Sequence, residues 1–159
     1  MCSKRMQNCT KCSLFSPRFS FTSFRGYNIG IRLIDEFLVK TDLASCLHFQ
    51  ESAEVIAKVG LKMFLNLSAE VVGWSEESKT CTLRLPTANN PFIEFAEIPE
   101  KFAGLVYGNL LCGVIKGALE MVQISADCFY SSDPLRGDEF SEIQIVYKEF
   151  LIERVDLDL

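Results

Sequence analysis

The spacing of apolar residues in this chain changes from the period of a helix to that of a strand. Ile29, Leu33 and Phe37 recur every four residues, which predicts an amphipathic helix from Gly26 to Lys40. Helical spacing returns from Phe49 to Leu65. The first part of the domain is therefore expected to be helical.

Alternation of apolar and polar residues takes over after these helices. Cys81, Leu83 and Leu85 alternate with polar residues, and a second short run carries Ile93 and Phe95 after a turn at Asn89-Asn90-Pro91. These two runs predict an antiparallel hairpin. A last strand is predicted where Ile143, Ile145 and Tyr147 alternate with polar residues, after a turn at Asp133–Asp138.

One long helix is predicted between these strand regions, from Lys101 to Phe129. Its inward residues are expected to be Leu105, Val106, Leu110, Val114 and Met121. Gly113 and Gly117 lie four residues apart, so another backbone can approach that face closely. Together the patterns predict an α+β domain with helices packed on a small antiparallel sheet.

Charge divides the chain at residue 26. Residues 1–25 form a basic N-terminal segment with five Lys or Arg side chains and no acid. Residues 26–159 form the folded domain and hold 11 basic and 21 acidic side chains. An acidic body argues against nucleic acid as a partner, because phosphate binding needs clustered Lys and Arg.

The cysteines indicate a reducing compartment. Seven cysteines at irregular spacing do not suit a disulfide scaffold. Cys9 and Cys12 form a C-x-x-C pair without a second half-site, and His48 is the only histidine, so no metal is expected. The sequence has no phosphate loop, dinucleotide fingerprint or hydrolase elbow and no long uncharged apolar run, so neither a standard enzyme nor a membrane span is predicted.

A strip of mostly small residues follows Cys46. At about 100° per residue, Ala53, Ala57, Gly60 and Phe64 lie at about −20°, +20°, −40° and 0° from Cys46 on a continuous helix. Such a strip leaves room for a slender apolar ligand, and a cysteine before a helix has its thiolate favoured by the dipole. The same strip also suits tight helix packing beside an inert thiol. A nucleophile and base pair of Cys46 and His48 is a further alternative.

Four segments carry a resemblance to a known family. They are GYNIGIRLIDEFL from Gly26, AEVIAKV from Ala53, Asn89-Asn90-Pro91, and NLLCGVIKGALEMVQ from Asn109. The chain resembles the Bet-three core subunit of TRAPP, the transport protein particle, over about Gly26 to Glu153.

This resemblance implies a non-catalytic core subunit of a vesicle-tethering complex that pairs with related subunits. The complex acts in transport from the endoplasmic reticulum to the Golgi and supports nucleotide exchange on a Rab GTPase. The subunit would be cytoplasmic and peripheral at the cis-Golgi and endoplasmic reticulum. The family carries a palmitoyl chain as a thioester in a hydrophobic channel, which places the attachment at Cys46 and the channel along Ala53, Ala57, Gly60 and Phe64. Glu153 would contact the GTPase.

The chain departs from the family at two places. Ser45 stands where the family has a basic residue before the cysteine. Residues 1–25 do not resemble the family's first helix, so that helix is expected to be absent or replaced. Two other functions stay open: an acyl-binding module outside any tethering complex, and an acyl transferase or thioesterase that uses Cys46 and His48.

Overall fold

The structure is a computed structural model and describes residues 21–41, 48–77, 79–102 and 104–151. Its helices are α1 (Phe21–Thr41), α2 (Phe49–Val55), α3 (Leu61–Leu65), α4 (Pro91–Glu94) and α5 (Asn109–Met121). Its strands are β1 (Glu70–Ser75), β2 (Thr80–Leu85), β3 (Ile124–Ser132) and β4 (Ser141–Phe150). A π turn from Ile56 to Gly60 joins α2 to α3, so these elements form one continuous helical segment.

The strands form one antiparallel sheet in the order β1-β2-β4-β3. In its central pair, Leu83 lies opposite Ile143 and Cys81 opposite Ile145. All four side chains are fully buried, which places them on the inner face. The alternation predicted for β2 and β4 is therefore confirmed.

The helical segment from α2 to α3 and helix α5 cover this inner face. Phe49, Ala53 and Leu61 belong to the same buried cluster as Ile115 and Leu119 of α5. Burial of these apolar surfaces is the main stabilising contribution to the fold. The α+β class with helices on a small antiparallel sheet is confirmed.

Helix α1 packs against α5 at very short distance because glycines face each other across the contact. A Cβ atom added at Gly26 or Gly30 would overlap the carbonyl oxygens of α5, and one at Gly113 or Gly117 would overlap those of α1. Only glycine permits this approach of two backbones. The close contact predicted for Gly113 and Gly117 is confirmed, and its partner is α1.

Polar contacts fix the register of the two helices. The Ser23 hydroxyl donates to the Asn109 carbonyl oxygen at 3.1 Å. Tyr27 of α1 interacts with the Glu120 carboxylate of α5, and burial, followed by the effect of this carboxylate, raises the pKa of Tyr27 to about 12. Both pairs join one helix to the other, so they resist sliding between α1 and α5.

Helix α1 is already helical at Phe21, the first described residue, five residues before the predicted start at Gly26. The helix therefore includes part of residues 1–25, the segment that the charge pattern distinguished from the domain. The division of the chain at residue 26 stays a prediction. Residues 1–20, which bear on the expected absence of the family's first helix, lie outside the described residues.

The predicted hairpin strand at Ile93 and Phe95 is wrong. Asn90 caps a short helix there, because its side-chain oxygen accepts from the Phe92 amide at 3.0 Å and Pro91 occupies the first turn. Strand β2 pairs instead with β1 and β4. The Asn-Pro signal for a helix start therefore outweighs the apolar alternation that follows it.

The single long helix predicted from Lys101 to Phe129 is also wrong. A short 3₁₀ turn at Glu100–Phe102 and a loop precede α5, and β3 follows it. The chain reverses at Gln123, whose φ of 66° lies in the left-handed region that ends helices.

The inward face of α5 also differs from the prediction. Leu105 precedes the helix and is exposed, as is Met121 at its end. The buried positions are Leu111, Cys112, Gly113, Ile115, Gly117 and Leu119.

We predict that Gly30→Ala lowers the free energy of unfolding by about 1–3 kcal/mol or more, because the new methyl group meets the Val114 carbonyl oxygen and forces α1 from α5. On an isolated helix the same change would add about 1 kcal/mol of stability. Urea unfolding measures the difference. The matched control is Gly104→Ala, which meets nothing within 4 Å and should change stability by less than about 0.5 kcal/mol. Equal effects at the two glycines would contradict this account of the contact.

Candidate functional site

An apolar cavity of about 410 Å³ lies between α1, α5 and the helical segment from Ile56 to Leu65. Its volume falls within the usual range of small-ligand sites, about 300–1,000 Å³. Ile29 and Phe64 lie at its wall and are 43% and 37% exposed, so the cavity reaches the surface. Two of its walls, α1 and α5, are the helices held together by the glycine contact.

The lining is apolar throughout. It comprises Ile29, Leu33, Ile34 and Phe37 of α1, Leu110, Leu111, Val114, Ile115 and Ala118 of α5, and Ile56, Gly60, Leu61, Phe64, Leu65 and Phe92. No side chain in this lining can donate or accept a hydrogen bond. A polar or charged ligand group would lose its hydration here without compensation, whereas a hydrocarbon chain would gain from burial.

The structure separates the four predicted channel residues into two pairs. Gly60 and Phe64 line the cavity. Ala53 and Ala57 lie in the core cluster and are 1% and 0% exposed, and neither is in the cavity lining. The roles proposed for the four residues in acyl binding stay predictions.

The π turn accounts for this separation. The Leu61 amide donates to the Ile56 carbonyl five residues back, so the turn contains one residue more than an α-helical turn. An added residue changes the direction of everything after it by up to one residue's rotation, about 100°. The predicted angles assumed a uniform α-helix, and the π turn is the local change of geometry between Ala53 and Ala57 in the core and Gly60 and Phe64 at the cavity.

The predicted attachment residue Cys46 and its neighbour Ser45 lie outside the described residues, and so does Glu153. The described chain resumes at His48, which is exposed and immediately precedes α2. The His48 side chain makes no capping hydrogen bond to this helix.

Three other thiols lie in the described part of the chain, at Cys81, Cys112 and Cys128. Burial raises the pKa of the Cys81 thiol to about 12. Burial also raises the pKa of Cys112 and that of Cys128 well above the usual value of 9.0. Because the thiolate is the nucleophile, these protonated thiols are poor candidates for acylation.

Sequence reasoning missed the larger part of the cavity wall. The side chains of α1 and α5 that line it, such as Leu33 and Val114, appear in the sequence as ordinary core positions of amphipathic helices. The available signal was the pairing of the glycines on α1 with Gly113 and Gly117. That pairing would have placed the two helices side by side and their neighbouring apolar side chains at a common surface.

No group of three His, Cys, Asp or Glu side chains that could hold a metal ion occurs among the described residues. In the same part of the chain, none of the helices has the length and hydropathy needed to cross a membrane.

Comparisons with known proteins consistently indicate one family. Residues 23–146 match the family model described as Transport protein particle (TRAPP) component. The chain is 47% identical over 131 residues to Trafficking protein particle complex subunit 3 of Dictyostelium discoideum, covering 82% of this chain and 69% of the relative. It is also 47% identical over 131 residues to Transport protein particle subunit bet3 of Schizosaccharomyces pombe, covering 82% of this chain and 70% of the relative.

A solved structure matches the fold closely. It is the crystal structure of a trafficking protein particle complex subunit 3 from Naegleria fowleri covalently bound to palmitic acid. The two chains are 44% identical with a TM-score of 0.77, and the match covers 83% of this chain and 81% of that one.

Because Gly60 lines the cavity and Ala57 lies in the core, replacing each with leucine should have a different effect on the free energy of unfolding. In protein that holds no ligand in the cavity, Gly60→Leu should change the free energy of unfolding by less than about 1 kcal/mol, because the nearest atom to a new Cβ is 3.8 Å away and the side chain enters the cavity. Ala57→Leu should cost about 1–3 kcal/mol, because Ala57 is completely enclosed by the core. Urea midpoints of the two variants provide the comparison. Similar costs at both positions would show that they face one environment.

Proposed function

The chain belongs to the transport protein particle (TRAPP) component family, and we propose that it is a core subunit of a vesicle-tethering complex that holds a palmitoyl chain in its apolar cavity. The complex acts in transport from the endoplasmic reticulum to the Golgi. The subunit is cytoplasmic and peripheral at these membranes. It performs no catalysis alone, and it contributes to nucleotide exchange on a Rab GTPase through the assembled complex.

The observation that carries the acyl part of the proposal is the wholly apolar cavity in a chain 44% identical to a palmitate-bound subunit. A saturated hydrocarbon chain needs no hydrogen-bond partner, and this lining offers none. At about 0.8 kcal/mol per methylene, burial of a 16-carbon chain contributes on the order of 10 kcal/mol before its ordering cost. The ligand would therefore act as part of the core and would be unavailable as a membrane anchor.

Cys46 is the proposed attachment residue, because it precedes the helix in the family motif. The buried thiols at Cys81 and Cys112 are held protonated, which favours a cysteine elsewhere. Gly60 lies in the cavity wall, so a larger side chain there would compete with the chain for space.

The partner part of the proposal is supported by the names of the relatives, which describe subunits of a trafficking protein particle complex. The partners would be related TRAPP subunits, in hetero-pairs or a homodimer. Glu153 is the proposed GTPase contact. Binding to nucleic acid is not proposed, because the domain is acidic.

Intact mass spectrometry of the folded protein purified from cells tests the attachment. We expect one palmitoyl increment that hydroxylamine removes and that Cys46→Ala abolishes. Gly60→Leu should reduce the acylated fraction several-fold, whereas Gly60→Ala, the matched control, should retain it. An unmodified wild-type protein, or an increment that survives Cys46→Ala, would contradict the attachment at this residue.

Affinity capture of the tagged chain from its own cells tests the assembly. We expect other TRAPP subunits in stoichiometric amounts, because the relatives are complex subunits. Recovery of an acylated protein without these subunits would instead support the separate acyl-binding module. An acylated protein that turns over acyl thioesters, with loss of turnover in His48→Ala, would support the enzymatic alternative.

A further inference from the structure

A second groove of about 360 Å³ lies on the surface between α4 and the start of α5. Its apolar lining includes Phe95, Ile98, Pro99, Phe102 and Tyr107. Phe95 is 82% exposed and Phe102 is 52% exposed. Clustered aromatic side chains with this much exposure usually mark a surface that another segment covers.

Acidic side chains accompany the groove. Glu97 belongs to its lining, and Glu94 at the end of α4 and Glu100 at the start of the 3₁₀ turn are exposed three residues to either side. Lys101 is the only basic residue between positions 91 and 107. The groove therefore suits an apolar segment that carries positive charge.

The segment of residues 1–20 has this composition. It holds four basic side chains, Lys4, Arg5, Lys11 and Arg18, and no acid. Phe15 and Phe19 lie between or beside these charges and supply aromatic groups of the kind that line the groove.

The segment is also attached close to the groove. The segment leads directly into α1, where the Ser23 hydroxyl donates to the Asn109 carbonyl oxygen at 3.1 Å, only two residues beyond Tyr107. Twenty extended residues span up to about 66 Å, so the groove is well within reach. A short tether of this kind gives an effective concentration near the millimolar range, which a free partner seldom matches.

We propose that residues 1–20 dock in this groove of their own chain, with aromatic side chains against Phe95 and Phe102 and basic side chains beside the three glutamates. This inference is independent of the acyl chain and of the tethering complex. It assigns a role to the basic segment that composition first distinguished.

Carbodiimide crosslinking of the full chain, followed by peptide mass spectrometry, tests the docking. We expect amide bonds from Lys4 or Lys11 to Glu94, Glu97 or Glu100, at a yield several-fold above that to Glu76 and Glu77. Glu76 and Glu77 are also exposed and lie in the turn between β1 and β2. This turn is at one end of β2, whereas the chain leaves the other end of β2 towards α4. The yield should fall several-fold at about 1 M salt, where the screening length is about 3 Å.

Charge reversal distinguishes specific docking from chance encounters. Glu97→Lys should lower the yield at Glu94 and Glu100 several-fold, whereas the control Glu76→Lys should leave it unchanged. Both positions are exposed, so urea unfolding should give wild-type midpoints and exclude misfolding as the cause. An unchanged yield in Glu97→Lys, or equal yields at all five glutamates, would overturn the proposal.

A mixture of isotope-labelled and unlabelled chains identifies the source of the segment. Crosslinks within one isotopic species support docking in the same chain. Crosslinks that join labelled to unlabelled chains in statistical proportion would overturn the proposal in favour of a second copy.

Discussion

The approach of α1 to α5 is the contact on which the rest of the described structure depends. Facing glycines on the two helices remove the Cβ atoms that would hold the backbones apart. Helix α5 packs on the sheet as well, so it fixes α1 relative to the core without direct contact between α1 and much of the sheet. The cavity then forms beside this contact. None of the four contact glycines lines it, yet their size determines how far apart its walls lie.

The segment from Phe49 to Leu65 serves two interfaces because its helical geometry changes midway. Ala53 and Ala57 pack in the core cluster with the sheet. Gly60 and Phe64 instead line the cavity, opposite α1. A uniform α-helix would align Ala53 with Gly60 on one face. The π turn redirects the second half at the cost of one added residue, which is consistent with the frequent occurrence of such turns at functional sites.

The sequence patterns predicted much of the fold correctly, and the errors have identifiable causes. β2 and β4 alternate cleanly because only one face of each strand is buried, and the four-residue recurrence in α1 reflects a helix with one packed side. The strand predicted at Ile93 was wrong because the Asn90 cap determines the local backbone. The region from Lys101 to Phe129 was predicted as one helix, but Gln123 adopts a left-handed backbone conformation that separates α5 from β3. A non-glycine residue in this conformation has no distinct sequence signal.

The cavity forms where several helices meet, so the pattern on one helix could locate only part of its lining. The role of Cys46 depends on its local environment, which neighbouring residues in the sequence do not determine.

The separation of α1 from α5 in sequence affects how the protein is made. Ser23 and Asn109 form a hydrogen bond across 86 residues. At about 5–20 residues per second, a ribosome needs roughly 4–17 s to synthesise that interval. During this time α1 exists without the helix that its glycines fit, and its apolar side stays in water. The order of translation therefore creates a period in which the nascent chain depends on chaperones or on local packing, until synthesis of α5 allows the domain to close.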